Sequence, residues 1–212
     1  MASPIGGIGA DERRRVLGVS IALSEAEVHW RAFLESLQAR GMRGVEYVVS
    51  DDHAGLRAAR RAVLGGATWQ RCQFHLARNA IHHAPSLAIR KRIGAELREV
   101  WNAGSLAKAE TELVELVAGY RDTAPKLAAW LETNVPEGLA VFSLPEHHRR
   151  RLRTSNPMER AVQQELKRRT VKVRVFPNDA SLERLVSAVL VEIDDKWATD
   201  TKAYIKWECQ DA

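Results

Sequence analysis

Cysteine is scarce in this 212-residue chain, with Cys72 and Cys209 the only two. Two thiols make no disulfide framework, so the expected location is the cytoplasm. No apolar run approaches the roughly 20 residues that span a bilayer, which leaves no expectation of a membrane partner. Met1 to Ala10 holds Gly and Pro but no basic n-region, so it does not read as a secretory leader. Internal repeats and low-complexity tracts are absent as well. With 45% apolar and 28% charged residues, wholesale disorder and collagen-like structure are excluded. The length suits one domain, or one domain with an insertion, and can bury a core without metal or disulfide staples.

What is present is an uneven charge. Thirty-two basic residues against 27 acidic give +5, but Arg149 to Arg174 alone holds eight Arg, two Lys and two Glu, a local +8. The rest of the chain is slightly acidic. A basic stripe of this kind suits an anionic polymer, nucleic acid before membrane, although a solvated helix face would look the same.

The first third reads as alternating strands and helices. Val16 to Leu23 is an expected buried strand, Pro4 to Ile8 a weaker one, and Ala10-Asp11-Glu12 a turn between them. Ser24 with Glu27 forms an expected capping box for a helix carrying Trp30, Phe33, Leu34 and Leu37 and ending at Gly41. Val45 to Val49 is the next strand. Ser50, Asp51 and Asp52 lead into a helix closed by Gly65-Gly66, and Thr68 to Cys72 is a third strand. From His75 to Asn134 the apolar spacing is helical throughout. Val135 to Arg153 reads as a connection, with His147 and His148 in a solvated basic loop. Helices follow over Pro157 to Thr170 and Ser181 to Trp197, with Val171 to Asn178 extended between them.

Three places could carry chemistry. Asp51 follows an apolar strand, where ligands of α/β sheets gather, and a carboxylate there can hold Mg²⁺; equally, Ser50, Asp51 or Asp52 could cap the next helix. Glu159 sits at the third helical position after Asn156 and Pro157, a good structural capping box, yet it opens the most basic stretch of the chain. A metal-dependent nuclease needs that combination, because an acid holds the metal while basic groups hold phosphates. Cys72 and His75 form Cys-x-x-His, half of a zinc set, but no second pair follows at finger spacing. A buried Cys and a hydrogen-bonded His is the better reading.

At these residues a family resemblance emerges. Val48-Val49-Ser50-Asp51-Asp52-His53-Ala54-Gly55-Leu56 resembles the V-S-D-x-H-x-G-L signature of the Mutator-like transposases of bacterial insertion sequences. Trp69 to Asn79, WQRCQFHLARN, is similar to that family's W-Q-R-C-x-x-H-x-x-R-N block. Thr154 to Arg160 looks like its T-[ST]-N-x-x-E-R motif, and Lys167-Arg168-Arg169-Thr170 and Val175-Phe176-Pro177-Asn178 match the R-R-T and I-F-P-N that follow. The five matches keep their order.

The resemblance implies an α/β fold with an RNase H-like core and an all-helical insertion: residues 1–75 begin the core, 76–150 form the insertion, and 151–212 complete it. It implies a D-D-E triad on two Mg²⁺ or Mn²⁺ ions, with Asp51 as the second carboxylate and Glu159 as the third. The two ions of such a site lie about 3.5–4 Å apart. Arg160, Lys167, Arg168 and Arg169 would hold DNA phosphates, and Cys72 and His75 match a pair close to the active site. DNA and further copies of the chain are the implied partners. The family's first Asp lies on a strand upstream of the hairpin that ends in Val16 to Leu23, and Asp11 and Glu12 are not placed like it. The expectation is therefore an N-terminally shortened transposase, with a non-catalytic DNA-binding remnant as the alternative. A helical interaction module with a basic surface fits the ordered motifs poorly.

Overall fold

The computed structural model describes residues 2–21, 26–170 and 178–207. It is a mixed α/β protein in which helix predominates, and its strands form two separate two-stranded sheets. The chain divides into two compact units, residues 1–45, 53–66 and 156–212 in the first and residues 46–52 and 67–155 in the second.

In the first unit, β1 (Ala2–Ile8) and β2 (Arg14–Ile21) make an antiparallel hairpin, turned at residues 10–12 as expected. The register slips between Ile5 and Gly6, where Leu17 is an extra residue on β2. A bulge breaks the period-2 alternation. Val16 and Val19 consequently face α8 (Asn156–Thr170) and α9 (Asp179–Ala198), while Leu17 and Ile5 face α1 (Glu27–Ala39) and α2 (Ala54–Val63). The strand expected to be buried is thus only half-buried, because a two-stranded sheet covers no strand from both flanks. Gly6 sits at a close approach: a Cβ there would come 2.9 Å from the Arg15 carbonyl oxygen and would also displace the end of the Met158 side chain of α8.

Helix α1 ends in a Schellman motif: Gly41 N–H reaches Gln38 C=O, Met42 N–H reaches Leu37 C=O, and Gly41 has φ +102°. Ser24 lies outside the described residues; the N-cap position is Ala26, which places Glu27 first in the helix rather than third. Residues 199–207 fold back over the hairpin turn. Tyr204 N–H donates to Glu12 C=O, Trp207 N–H to Glu12 Oε1, and Arg14 lies between the rings of Trp197 and Tyr204 at 4.4 and 4.6 Å.

In the second unit, β3 (Tyr47–Ser50) and β4 (Thr68–Arg71) pair in parallel. Four helices follow without an intervening strand: α3 (Gln73–His83), α4 (Leu87–Asn102), α5 (Leu106–Tyr120) and α6 (Pro125–Asn134). Ser86 and Ser105 cap α4 and α5 by accepting from the amides of Ile89 and Lys108, and Pro125 opens α6. Leu76, Ile93, Leu97, Leu127 and Leu131 are fully enclosed in the core these helices share.

The expected connection over residues 135–153 is more ordered than its composition suggests. It contains two 3₁₀ turns, Val135–Gly138 and Ala140–Ser143, and a helix α7 (Glu146–Leu152). This also corrects the solvated histidine pair: His147 is exposed, but the helical arc turns His148 inward until it is buried. α8 begins at Asn156, one residue before the expected start, within the usual fraying of a helix end. Most of the expected extended segment, residues 171–177, lies outside the described residues.

Candidate metal and nucleic-acid site

Asp51 stands at the carboxyl end of β3, the half-buried strand of the parallel pair. Its surroundings are built from β4. Cys72 N–H donates to Ser50 C=O at 2.8 Å, Trp69 Nε1 donates to Ser50 Oγ at 2.9 Å, and Ser50 Oγ donates to Asp51 C=O at 2.9 Å. The Asp51 carboxylate accepts from the amide of Asp52 at 2.8 Å and is otherwise turned to solvent. The capping alternative falls on position, because the N-cap of α2 is His53. Asp51 is left as an exposed carboxylate at a strand end, a hard oxygen donor of the type Mg²⁺ takes while retaining several waters.

Asp52 differs. Its Oδ2 forms an ion pair 3.3 Å from Arg71 Nη1, which donates to Asn134 Oδ1 and Glu137 Oε2, each at 2.8 Å. The Gln70 side chain is fully buried: Nε2 donates to the carbonyls of Arg71 and Gly138, and Oε1 accepts from the amide of Val141 and the hydroxyl of Tyr47. Sequence reading missed Gln70, Arg71, Asn134 and Glu137. The available signal was polarity in a short strand, Gln and Arg between Trp69 and Cys72, where burial demands satisfied partners.

Cys72 follows on the same element. It is buried, and its Sγ lies 3.2 Å from Thr154 Oγ1. Burial alone would push the thiol up, but hydrogen bonds from His75, Ser155 and Thr154 outweigh it and bring Cys72 down to about 6. Gln73 N–H adds a bond to Arg153 C=O at 3.1 Å. The Cys-x-x-His pair therefore ties the start of α3 to the segment that leads into α8. Among the described residues, no group of three or more His, Cys, Asp or Glu is gathered to hold a metal.

Glu159 lies in the first turn of α8, partly buried, within the first unit. Val162 and Leu166, one turn apart, bury the inner face of that helix against Val186, Val189 and Leu190 of α9. Arg160 and Lys167, two turns apart on one face, are exposed. Arg168 forms a two-pronged pair with Glu165, both bonds 2.7 Å, and Arg169 pairs with Glu192. The other arm of the basic stretch belongs to the second unit and is partly structural. Arg149 donates to the carbonyls of Leu144 and Gly104 and stacks over Phe142. Arg153 donates to Asn102 Oδ1 at 2.8 Å. Lys172 and Arg174 lie outside the described residues.

Asp11 and Glu12, the acids ahead of β2, are engaged elsewhere. Asp11 pairs with Arg15 at 2.6 Å, whose hydrogen bond holds its carboxyl below the usual range, and Glu12 accepts from Trp207.

Comparison with known proteins adds a second line. The model of the family described as transposase, Mutator family, matches residues 5–200. The chain is 50% identical over 201 residues to the transposase for insertion sequence element IS406 of Burkholderia multivorans, covering 95% of this chain and 51% of that protein. It is 41% identical over 195 residues to the transposase for ISRM5 of Rhizobium meliloti, covering 90% and 48%. It is 31% identical over 204 residues to the transposase for IS256 in transposon Tn4001 of Staphylococcus aureus, covering 95% and 52%. The chain spans about half the length of the curated relatives it matches.

Proposed function

Because the chain belongs to the Mutator family of transposases, we propose that it is the catalytic portion of an enzyme that cuts and rejoins DNA at the ends of an insertion sequence. The reading includes an RNase H-like core, begun by residues 1–75 and completed by 151–212, with residues 76–150 as a helical insertion. Its partners are transposon-end and target DNA and further copies of the chain, since two ends must be held at once. No helix among the described residues is long and apolar enough to cross a membrane, and the cytoplasm, where the DNA is, is the proposed place of action.

The observation that carries the reading is Asp51: an exposed carboxylate at a strand end that caps no helix, beside an Asp52 that is already paired. Asp51 and Glu159 would hold Mg²⁺ or Mn²⁺ as ligands rather than act as acid and base. When bound, a pair of such ions activates the attacking oxygen and stabilises the leaving one. The chain's own groups then bind and orient the duplex. Arg160 and Lys167 offer free positive charge to phosphates, while Arg168 and Arg169 would exchange Glu165 and Glu192 for phosphate.

Two experiments test this. Mn²⁺ uptake by the 212-residue chain should fall on Asp51→Asn and on Glu159→Gln; uptake indifferent to both sinks the metal assignment. Duplex binding should weaken with salt, and Arg160→Glu with Lys167→Glu should flatten that slope. An unchanged slope sends the function to another surface.

One observation favours the second reading, a non-catalytic DNA-binding remnant. Asp11, Glu12 and Asp52, the other acids nearest in sequence to the proposed ligands and the hairpin, all have other partners. Under it, the chain binds duplex but leaves a transposon-end substrate uncut in Mg²⁺. Robust cutting that disappears in Glu159→Gln would eliminate the remnant.

A further inference from the structure

The backbone after β3 is held from β4, and one of its tethers is ionic. Arg71 closes β4 opposite Ser50 in the parallel register, and its side chain is only 5% exposed. Its Nη1 donates to Asn134 Oδ1 and Glu137 Oε2, each at 2.8 Å, and lies 3.3 Å from Asp52 Oδ2 as an ion pair. A buried guanidinium is costly without such partners, and its planar fork fixes the geometry of what it binds in a way a lysine does not. One cation thus faces two carboxylates, and both are drawn toward it.

The consequence falls on two adjacent aspartates of identical chemistry. Asp52 is turned to Arg71 with its side chain 24% exposed, whereas Asp51 is exposed and its carboxylate accepts the neighbouring amide of Asp52 and no other group among the described residues. We propose that Arg71 is a positioning residue which retains Asp52 and so presents Asp51, not Asp52, to the divalent cation. This rests on the reading of Asp51 as a metal ligand. Arg71 touches neither metal nor DNA. It acts through Asp52, with Asn134 and Glu137 holding the guanidinium in place.

The test uses the full 212-residue chain, with Mn²⁺ affinity from the paramagnetic resonance of the free ion. Bound metal is located by Fe²⁺-driven oxidative cutting of the backbone, and thermal melts check that each variant folds. In the parent chain the cut should fall beside Asp51. Asp51→Asn should lower Mn²⁺ affinity at least about tenfold and abolish the cut. Asp52→Asn, whose amide oxygen can still face the Arg71 guanidinium, should stay within about threefold of the parent. Asp52→Leu, which presents no oxygen to the guanidinium, should lose about tenfold and blur the cut. Arg71→Met should behave like Asp52→Leu, and Arg71→Lys should fall between.

The contrast between Asp52→Asn and Asp52→Leu decides the matter even if Arg71→Met fails to fold. Loss in Asp52→Asn as severe as in Asp51→Asn makes Asp52 a ligand in its own right and overturns the positioning role. Parent-like affinity in a folded Asp52→Leu overturns it too. A parent chain with no cut near residue 51, and Mn²⁺ uptake unaffected by Asp51→Asn, removes the ligand itself and overturns both readings. That pattern differs from the failure of Arg71 alone.

Discussion

The helices between residues 73 and 134 and the four strands carry comparably apolar sequences, yet they end in different environments. Ile93, Leu97, Leu127 and Leu131 are wholly enclosed, whereas Val48 and Val49 of β3 and Val16 and Val19 of β2 remain half-exposed. The apolar face of a helix is covered once another helix packs on it. A strand must be flanked on both edges and covered on both faces, and among the described residues each sheet has two strands. Burial is thus a property of the partners a segment finds rather than of its own hydropathy. The strands compensate with polar connections instead, the Gln70 and Arg71 networks among them.

The sharpest way to break this comparison is truncation on either side of it. Leu97→Ala should cost about 3–4 kcal/mol, while Val48→Ala should cost only about 1 kcal/mol, both read from urea denaturation. Equal losses would mean that the strands are as deeply packed as the helices. Next in size, Gln70→Leu keeps most of the volume but strips the Val141 amide of its acceptor, so a loss of about 2 kcal/mol is expected in the same assay.

A third prediction concerns pH. The Cys72 thiol is lowered to about 6 in the folded chain from an ordinary value of 9.0. Between those values the unfolded thiol holds a proton that the folded one has released, so stability rises with pH across the window. The contribution is complete above the unfolded value and gone below about 6. Melting temperatures measured from pH 6 to 9 should climb in the parent chain and climb less in Cys72→Ser. The smallest effect expected is in the caps. Ser105→Ala should cost about 1 kcal/mol, whereas Ala26→Asp should gain a few tenths to about 1 kcal/mol, because α1 begins without a side-chain cap.

The helical block was largely legible. Ile89, Ile93, Leu97, Val100 and Trp101 share one face at helical spacing, and all five are buried. Leu106 departs from that pattern: at the first position of α5 it lies ahead of the packed turn and is 44% exposed. The strands were legible as strands, but their burial was not, since the number of neighbours cannot be read from one segment. α7 was missed because Glu146 to Leu152 has no apolar period, only charge and two histidines. The candidate site residues, Asp51, Cys72-His75 and Glu159, were chosen on local signals and stay proposals. The bonds around them were not legible, because Arg71 finds Asn134 and Glu137, and Cys72 finds Thr154, more than sixty positions away.

The strap of residues 199–207 over the hairpin turn also fixes an order of assembly. Everything in the second unit precedes α8 and α9 along the chain; α1 and α2 reach Ile5 and Leu17 early, whereas the partners of the hairpin's Val16 and Val19, among them Val186, Val189 and Leu190, and the aromatic clasp on Arg14 come last. At roughly 5–20 residues per second of synthesis, β2 waits on the order of ten seconds for α9 to emerge. Arrested nascent chains ending near residue 155 should therefore show a hairpin more readily digested than in the full chain; a hairpin equally resistant at that stage would contradict this order. During the delay both edges of an apolar hairpin are open to other strands. The interval in which this protein is most prone to aggregate is thus set by the ribosome, through the distance in sequence between a turn and the residues that clasp it.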